Sequence, residues 1–214
     1  AAIAAGIVGT VLPRMTYAGE EARSFAFSAA AAAWLTLLFV WLVDGRGRTA
    51  PANVRRTCWV LYAAGMAIAS YLFLYMVTLA LGHLAVLLLS RASRRTLVSW
   101  SLAMGGTALA IAPIALLAFF ERSQISYLGS QPLDPSTLLY APWFSTPWVA
   151  IVAWALILVA VVSSVVGWRR AGLRLRTGVP VTTTTVAFCW LIVPTGALLL
   201  VNIAFPLYTA RYST

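Results

Sequence analysis

The sequence predicts an all-α fold, a polytopic transmembrane helix bundle, from three observations. Hydrophobic residues fill 62% of the 214 positions and charged residues 9%, more apolar surface than one soluble core can bury. The apolar residues gather into long runs at 23–43, 57–90, 98–120, 147–167 and 181–205, each at least long enough to cross a bilayer once. The basic residues, all arginine, fall very unevenly among the polar segments between those runs.

The first stretch, "AAIAAGIVGTVLP", is apolar for 13 residues, too short for a span of about 20, and has no basic region of the kind that opens a signal peptide. With Ala first and the polar "YTARYST" last, the chain is expected to be an internal piece of a longer membrane protein, with residues 1–214 forming one transmembrane domain.

Segments 44–56, 91–95 and 168–176 together hold eleven arginines and one acid, whereas the regions around 14–23, 121–146 and 206–214 hold four arginines and four acids. By the positive-inside rule the first set is cytoplasmic. Residues 14–22, 121–146 and 206–214 then lie outside. Segment 57–90 has cytoplasmic sequence at both ends, so it crosses an even number of times. As one helix its 34 residues would reach about 51 Å, well beyond a hydrocarbon core of about 30 Å. Two short helices of about 24 Å each, turning near Ser70 to Phe73, fit a locally thinned bilayer. The expected total is a partial first span followed by about six complete ones.

Glu20, Glu21, Arg23, Tyr208 and Arg211 are distant in sequence, yet this topology gathers them on the outer face. Adjacent carboxylates beside an arginine have competing influences on their protonation, and such a group can act as a base or orient a hydroxyl. The planar fork of Arg211 suits a phosphate, and Tyr208 suits the interfacial aromatic belt. The long outer loop 121–146 carries Gln124 and Tyr127 among prolines and aromatics; Tyr127, Tyr140, Trp143 and Phe144 suit either a sugar or the bilayer surface.

Other polar residues read as structural. His83 has no sequence partner for metal or catalysis and is expected to make a helix-packing hydrogen bond. The threonines of "VPVTTTTVAF" suit a helix start, and Cys58 and Cys189 suit packing. No nucleotide-binding loop, zinc-ligand pattern or nucleic-acid module occurs. The net charge of +10 comes almost entirely from the cytoplasmic segments, so it does not point to nucleic acid.

Four stretches, in order, resemble motifs of bacterial multi-spanning glycosyltransferases of the GT-C class, particularly actinobacterial ones. "YAGEEARSFAFSAAAAAWLTLLFVWLV" resembles the family's stretch with the core E-A-R, and "WVLYAAGMAIASYLFLYMVTLALGHLAVLLL" its short hairpin. "RSQISYL" is similar to its outer-loop Q-[IV]-x-[WY]-[LI] element, and "PLYTARYST" to its P-x-Y-x-x-R-Y signature. Ser24 and Phe25 stand where Pro and Tyr are common in the family.

The resemblance implies transfer of a sugar, mannose in many actinobacterial members, from a polyprenyl-phosphate donor to a glycan, lipid or protein acceptor of the cell envelope, at the outer face of the plasma membrane. It implies Glu21 and Glu20 as catalytic-site carboxylates and Arg23, Gln124, Tyr127, Tyr208 and Arg211 as substrate-binding residues. It also places the family's presumed general base in an outer loop upstream of Ala1. No metal or other cofactor is assigned. A transporter or flippase for a lipid-linked or small solute, and a non-catalytic assembly subunit, are the competing readings; transporters favour mid-membrane charges and internal repeats, neither of which is evident here.

The topology predicts that cysteines introduced at Thr49 and Gly172 escape an impermeant thiol reagent added outside intact cells, and that one at Ser130 is labelled. Labelling at Thr49 but not Ser130 would invert the orientation.

Overall fold

The computed structural model describes residues 25–44, 47, 49–121, 146–170 and 180–204. Every regular element among them is helical: α1 (Phe25–Val43), α2 (Ala52–Leu72), a 3-10 turn (Leu74–Met76), α3 (Val77–Leu89), α4 (Arg94–Phe120), α5 (Pro147–Arg170) and α6 (Thr183–Ala204). Four of these, α1, α4, α5 and α6, are long and apolar enough to cross a membrane, consistent with a multi-pass membrane protein. The legs of the expected hairpin do not qualify singly, because α2 opens with Arg55 and Arg56 and the apolar helix after it is short.

Segment 57–90 is indeed two helices. The break falls at Phe73, whose backbone is extended at φ −155° and ψ 107° while its N–H still closes the last turn of α2 on the Ala69 carbonyl. Neither glycine nor proline sits at the break, so tertiary contacts fix it. The Phe73 and Tyr75 rings meet at 5.4 Å, and Tyr62 of α2 meets His83 of α3 through a 2.7 Å hydrogen bond. Those two residues lie at nearly equal distances before and after Phe73, so α3 folds back antiparallel to α2.

The core is centred on α1 and α2. Ala32, Leu35, Phe39 and Leu42 of α1 face Trp59, Tyr62, Met66 and Ala69 of α2, all buried. Both sets follow a 3-4-3 spacing, which keeps a seam along one helix face. The pair is antiparallel: Phe39 lies against Tyr62, while a Cβ at Gly65 would come within 2.8 Å of the Leu35 side chain. The α4 helix runs parallel to α2, because the Thr107 hydroxyl donates to the Ala63 carbonyl at 3.1 Å and the Tyr71 hydroxyl to that of Ala110 at 3.0 Å. The second bond sits beside Pro113, where the missing N–H loosens the helical ladder.

The link from α3 to α4 is tight. The Ala92 N–H reaches back to the Leu87 carbonyl and that of Arg91 to Leu88, the paired closure of a helix C-terminus that normally uses glycine. Here Arg91 takes the left-handed conformation with φ 49°, and buried Ala92 and Leu87 supply the accompanying apolar contact. Ser93 then caps α4 by accepting from the Thr96 N–H.

Helix α6 packs closely on α3. A Cβ at Gly82 would stand 3.6 Å from the Cys189 carbonyl oxygen and 3.8 Å from the Trp190 Cα, which leaves room for a methyl group and little else. Small residues permit this backbone approach in membrane helices. Cys58 and Cys189 are both free, in keeping with their reading as packing residues.

Gly82→Ala should therefore leave thermal unfolding in detergent nearly unchanged, whereas Gly82→Leu should destabilise the fold by about 1–3 kcal/mol through overpacking. Equal melting of the two variants would contradict the close α3–α6 approach.

Candidate functional site

The residues singled out from sequence, Glu20, Glu21, Arg23, Gln124, Tyr127, Tyr208 and Arg211, all lie outside the described residues. The described helices instead contain a buried polar cluster and a long apolar groove. No three His, Cys, Asp or Glu side chains come together as a metal site among the described residues.

The polar cluster ties α1, α2 and α3 at His83. The Tyr62 hydroxyl meets Nδ1 at 2.7 Å and the Thr36 hydroxyl meets Nε2 at 3.2 Å. Phe39 stacks on the imidazole, with ring centroids 4.1 Å apart and planes 9° from parallel. Trp59 contacts Tyr62 edge-on at 5.7 Å. The buried Trp100 indole N–H approaches the Tyr62 hydroxyl from α4 without hydrogen-bonding geometry. Both imidazole nitrogens are engaged, one able to donate and the other to accept, which is the packing role expected of His83 from sequence.

The groove runs along α6 and is bounded by α1, the hairpin apex and α5, with a volume of about 680 Å³. It extends from Thr183 to Leu198 on α6, about 22 Å at the helical rise. Its walls are mainly aliphatic and aromatic, with Phe73, Met76, Phe188 and Leu191 prominent. Helix α5 contributes Ile157, Ala160 and Val161 but is otherwise sparsely packed, Ala150 being its one buried residue.

A few hydroxyls interrupt the apolar lining. Ser28 is 5% exposed, lines the groove, and its hydroxyl has no hydrogen-bond partner among the described residues. Such a group costs roughly 1–3 kcal/mol to bury unpaired, so it favours an occupant that can accept or donate there. The threonine run serves two purposes. Thr182 accepts from the Thr185 N–H, and the Thr185 hydroxyl donates to the Pro180 carbonyl, the capping role expected from sequence; Thr183 and Thr184 face the groove.

None of these groove residues stands out in the sequence, where Ser28 is one polar residue at the edge of a polyalanine run. The α1 and α6 patterns show no apolar side distinct from the rest, because membrane helices are apolar on all faces. Pro194 gives a partial signal: it removes a backbone donor from the α6 interior and lines the groove beside Thr195.

Tyr62→Phe should cost about 1 kcal/mol in detergent unfolding, the scale of an interhelical hydrogen bond in a membrane protein. Combined with His83→Phe, which preserves a ring against Phe39, the total should fall short of the sum of the single changes. Additive losses would show that the two side chains do not act together.

Comparison of the chain with protein-family models, curated proteins and solved structures found no match. The fold and the groove therefore rest on the geometry alone.

Proposed function

We propose that the protein is a membrane glycosyltransferase of the GT-C type. It transfers a sugar, mannose by the sequence resemblance, from a polyprenyl-phosphate donor to a cell-envelope acceptor on the outer face of the bacterial plasma membrane. The hairpin legs, with the four long helices, make up the six crossings of this reading.

The observation that carries the proposal is the groove along α6. Its length and apolar walls suit a lipid tail, and the unpaired Ser28 hydroxyl near the start of α1 suits a polar group of the same donor. Its lining includes the beginning of α1 and the C-terminal half of α6. Glu20, Glu21 and Arg23 precede α1 by a few residues, and Tyr208 and Arg211 follow α6 by a few. The motif residues of both segments are thus tethered to helices that bound the groove.

In an inverting transfer the acceptor oxygen loses its proton as it bonds to the sugar carbon, and the bond from that carbon to the donor phosphate breaks. A carboxylate is needed on the acceptor side and a cation beside the leaving phosphate. Glu21 and Glu20 supply the first sign near the acceptor, in support of a base upstream of Ala1. Arg23 and Arg211 supply the second, and Gln124, Tyr127 and Tyr208 help hold the substrates. The transporter reading draws on His83 as an ionisable group within the helices, but Tyr62 and Thr36 already occupy its two nitrogens.

In the full-length protein, Arg211→Lys should weaken donor binding by roughly 1–3 kcal/mol, the scale of a charge-assisted hydrogen bond, while Glu21→Gln should bind donor normally and transfer sugar more slowly. Ala160→Phe, on the groove wall, should reduce donor affinity about tenfold, or about 1.4 kcal/mol, with folding intact. Folded variants with unchanged donor binding and transfer would reject the proposal.

A further inference from the structure

A second groove of about 630 Å³ lies between α2 and α4, away from the first. It exists because both helices present small side chains there. Ala64, Gly106 and Ala110 are examples, and a Cβ added at Gly106 would meet nothing within 4 Å. The helices are held at this separation by the Thr107 bond to the Ala63 carbonyl.

Three arginines, Arg55, Arg56 and Arg95, line the same groove. They stand near the starts of α2 and α4, and since those helices are parallel, the groove has one basic end. None of the three forms an ion pair or a side-chain hydrogen bond among the described residues. The described acids offer no compensation in the groove: Asp44 is exposed and does not line it, and Glu121 caps the far end of α4. Neither helix carries an acid in its first turn, so arginines crowd two helix starts whose dipoles already favour an anion. Beyond the arginines the α2 wall continues through Trp59 and Val60 to the small residues Ala63, Ala64 and Ala67; from Arg55 to Ala67 it spans about 18 Å, close to half the thickness of a hydrocarbon core of about 30 Å.

From this combination of charge and length we infer that the α2–α4 groove binds one anionic phospholipid from the leaflet on the arginine-rich side, its phosphate held by Arg55, Arg56 and Arg95 and an acyl chain lying over Gly106. The guanidinium fork matches a phosphate oxygen pair. The apolar chain covers backbone that the small side chains leave open. This site is independent of sugar transfer and stands whether or not that reading holds.

The test uses the full-length protein purified in non-ionic detergent, with phosphatidylglycerol and phosphatidylcholine as probes and native mass spectrometry counting the lipid retained. The wild type should keep one phosphatidylglycerol in preference to phosphatidylcholine. Replacing Arg55, Arg56 and Arg95 together by Gln should weaken that retention about tenfold or more, the scale of losing a charge-assisted hydrogen bond. Replacing Arg94, Arg169 and Arg170, an equal charge outside the groove, should not. Gly106→Leu should block retention while Gly105→Leu should not, since both positions are open to a side chain and only Gly106 lines the groove. Circular dichroism melting identifies any variant that fails to fold, and the other pair of variants then decides. No preference between the two lipids, equal losses from both arginine triplets, or equal behaviour of the two glycine variants would each overturn the inference.

Discussion

Three helices meet at one imidazole, and the arrangement of the rest follows from that. In lipid there is no hydrophobic force to drive one apolar helix against another, so packing and buried hydrogen bonds must specify who neighbours whom. His83 spends both ring nitrogens on this, one toward α2 and one toward α1, and its face on Phe39. The hairpin can fold back at Phe73 without a glycine or proline because this cluster closes it. With α3 positioned, Gly82 presents a smooth surface for α6, and α2 in turn carries α4 through Thr107 and Tyr71. The two grooves lie beside these contacts, one along α6 and one between α2 and α4.

The packing is graded accordingly. Tyr62, Phe39 and Met66 are wholly enclosed, while α5 keeps large apolar residues such as Trp148, Leu156 and Leu158 open along most of its length. In a soluble protein that surface would be a liability; against hydrocarbon it is an ordinary boundary. The groove along α6 is thus lined on one side by this sparsely packed helix.

Much of the helical layout was legible because the membrane imposes simple lengths. The 57–90 segment could not be one straight span, and it breaks at Phe73, the last position of the expected turn. His83 could be read as a packing residue since it lacked a charged or sulfur partner, and the threonine run could be read as a cap from its place at a helix start. The grooves were not legible. Side chains facing lipid and side chains facing another helix have the same polarity, so Ser28 and Gly106 carry no periodic signal that separates them from their neighbours. The motifs around Glu20, Arg23, Gln124 and Arg211 were legible only as motifs, and their mutual geometry belongs to segments outside the described residues.

If the legs of the hairpin cross the bilayer as the six-crossing proposal has it, they also set a mechanical condition on the surrounding membrane. Between Thr57 and Leu72 the apolar part of α2 is about 24 Å long by helical rise, and the leg from Leu74 to Leu89 matches it, whereas an average hydrocarbon core is about 30 Å. A lipid sheet compressed to meet these legs stores elastic energy, with a modest penalty for each ångström. On the six-crossing proposal the hairpin would work as a gauge of thickness. Under that proposal the protein would rest most comfortably where the sheet is thin, and a thicker one would have to deform around the short legs that meet at Phe73.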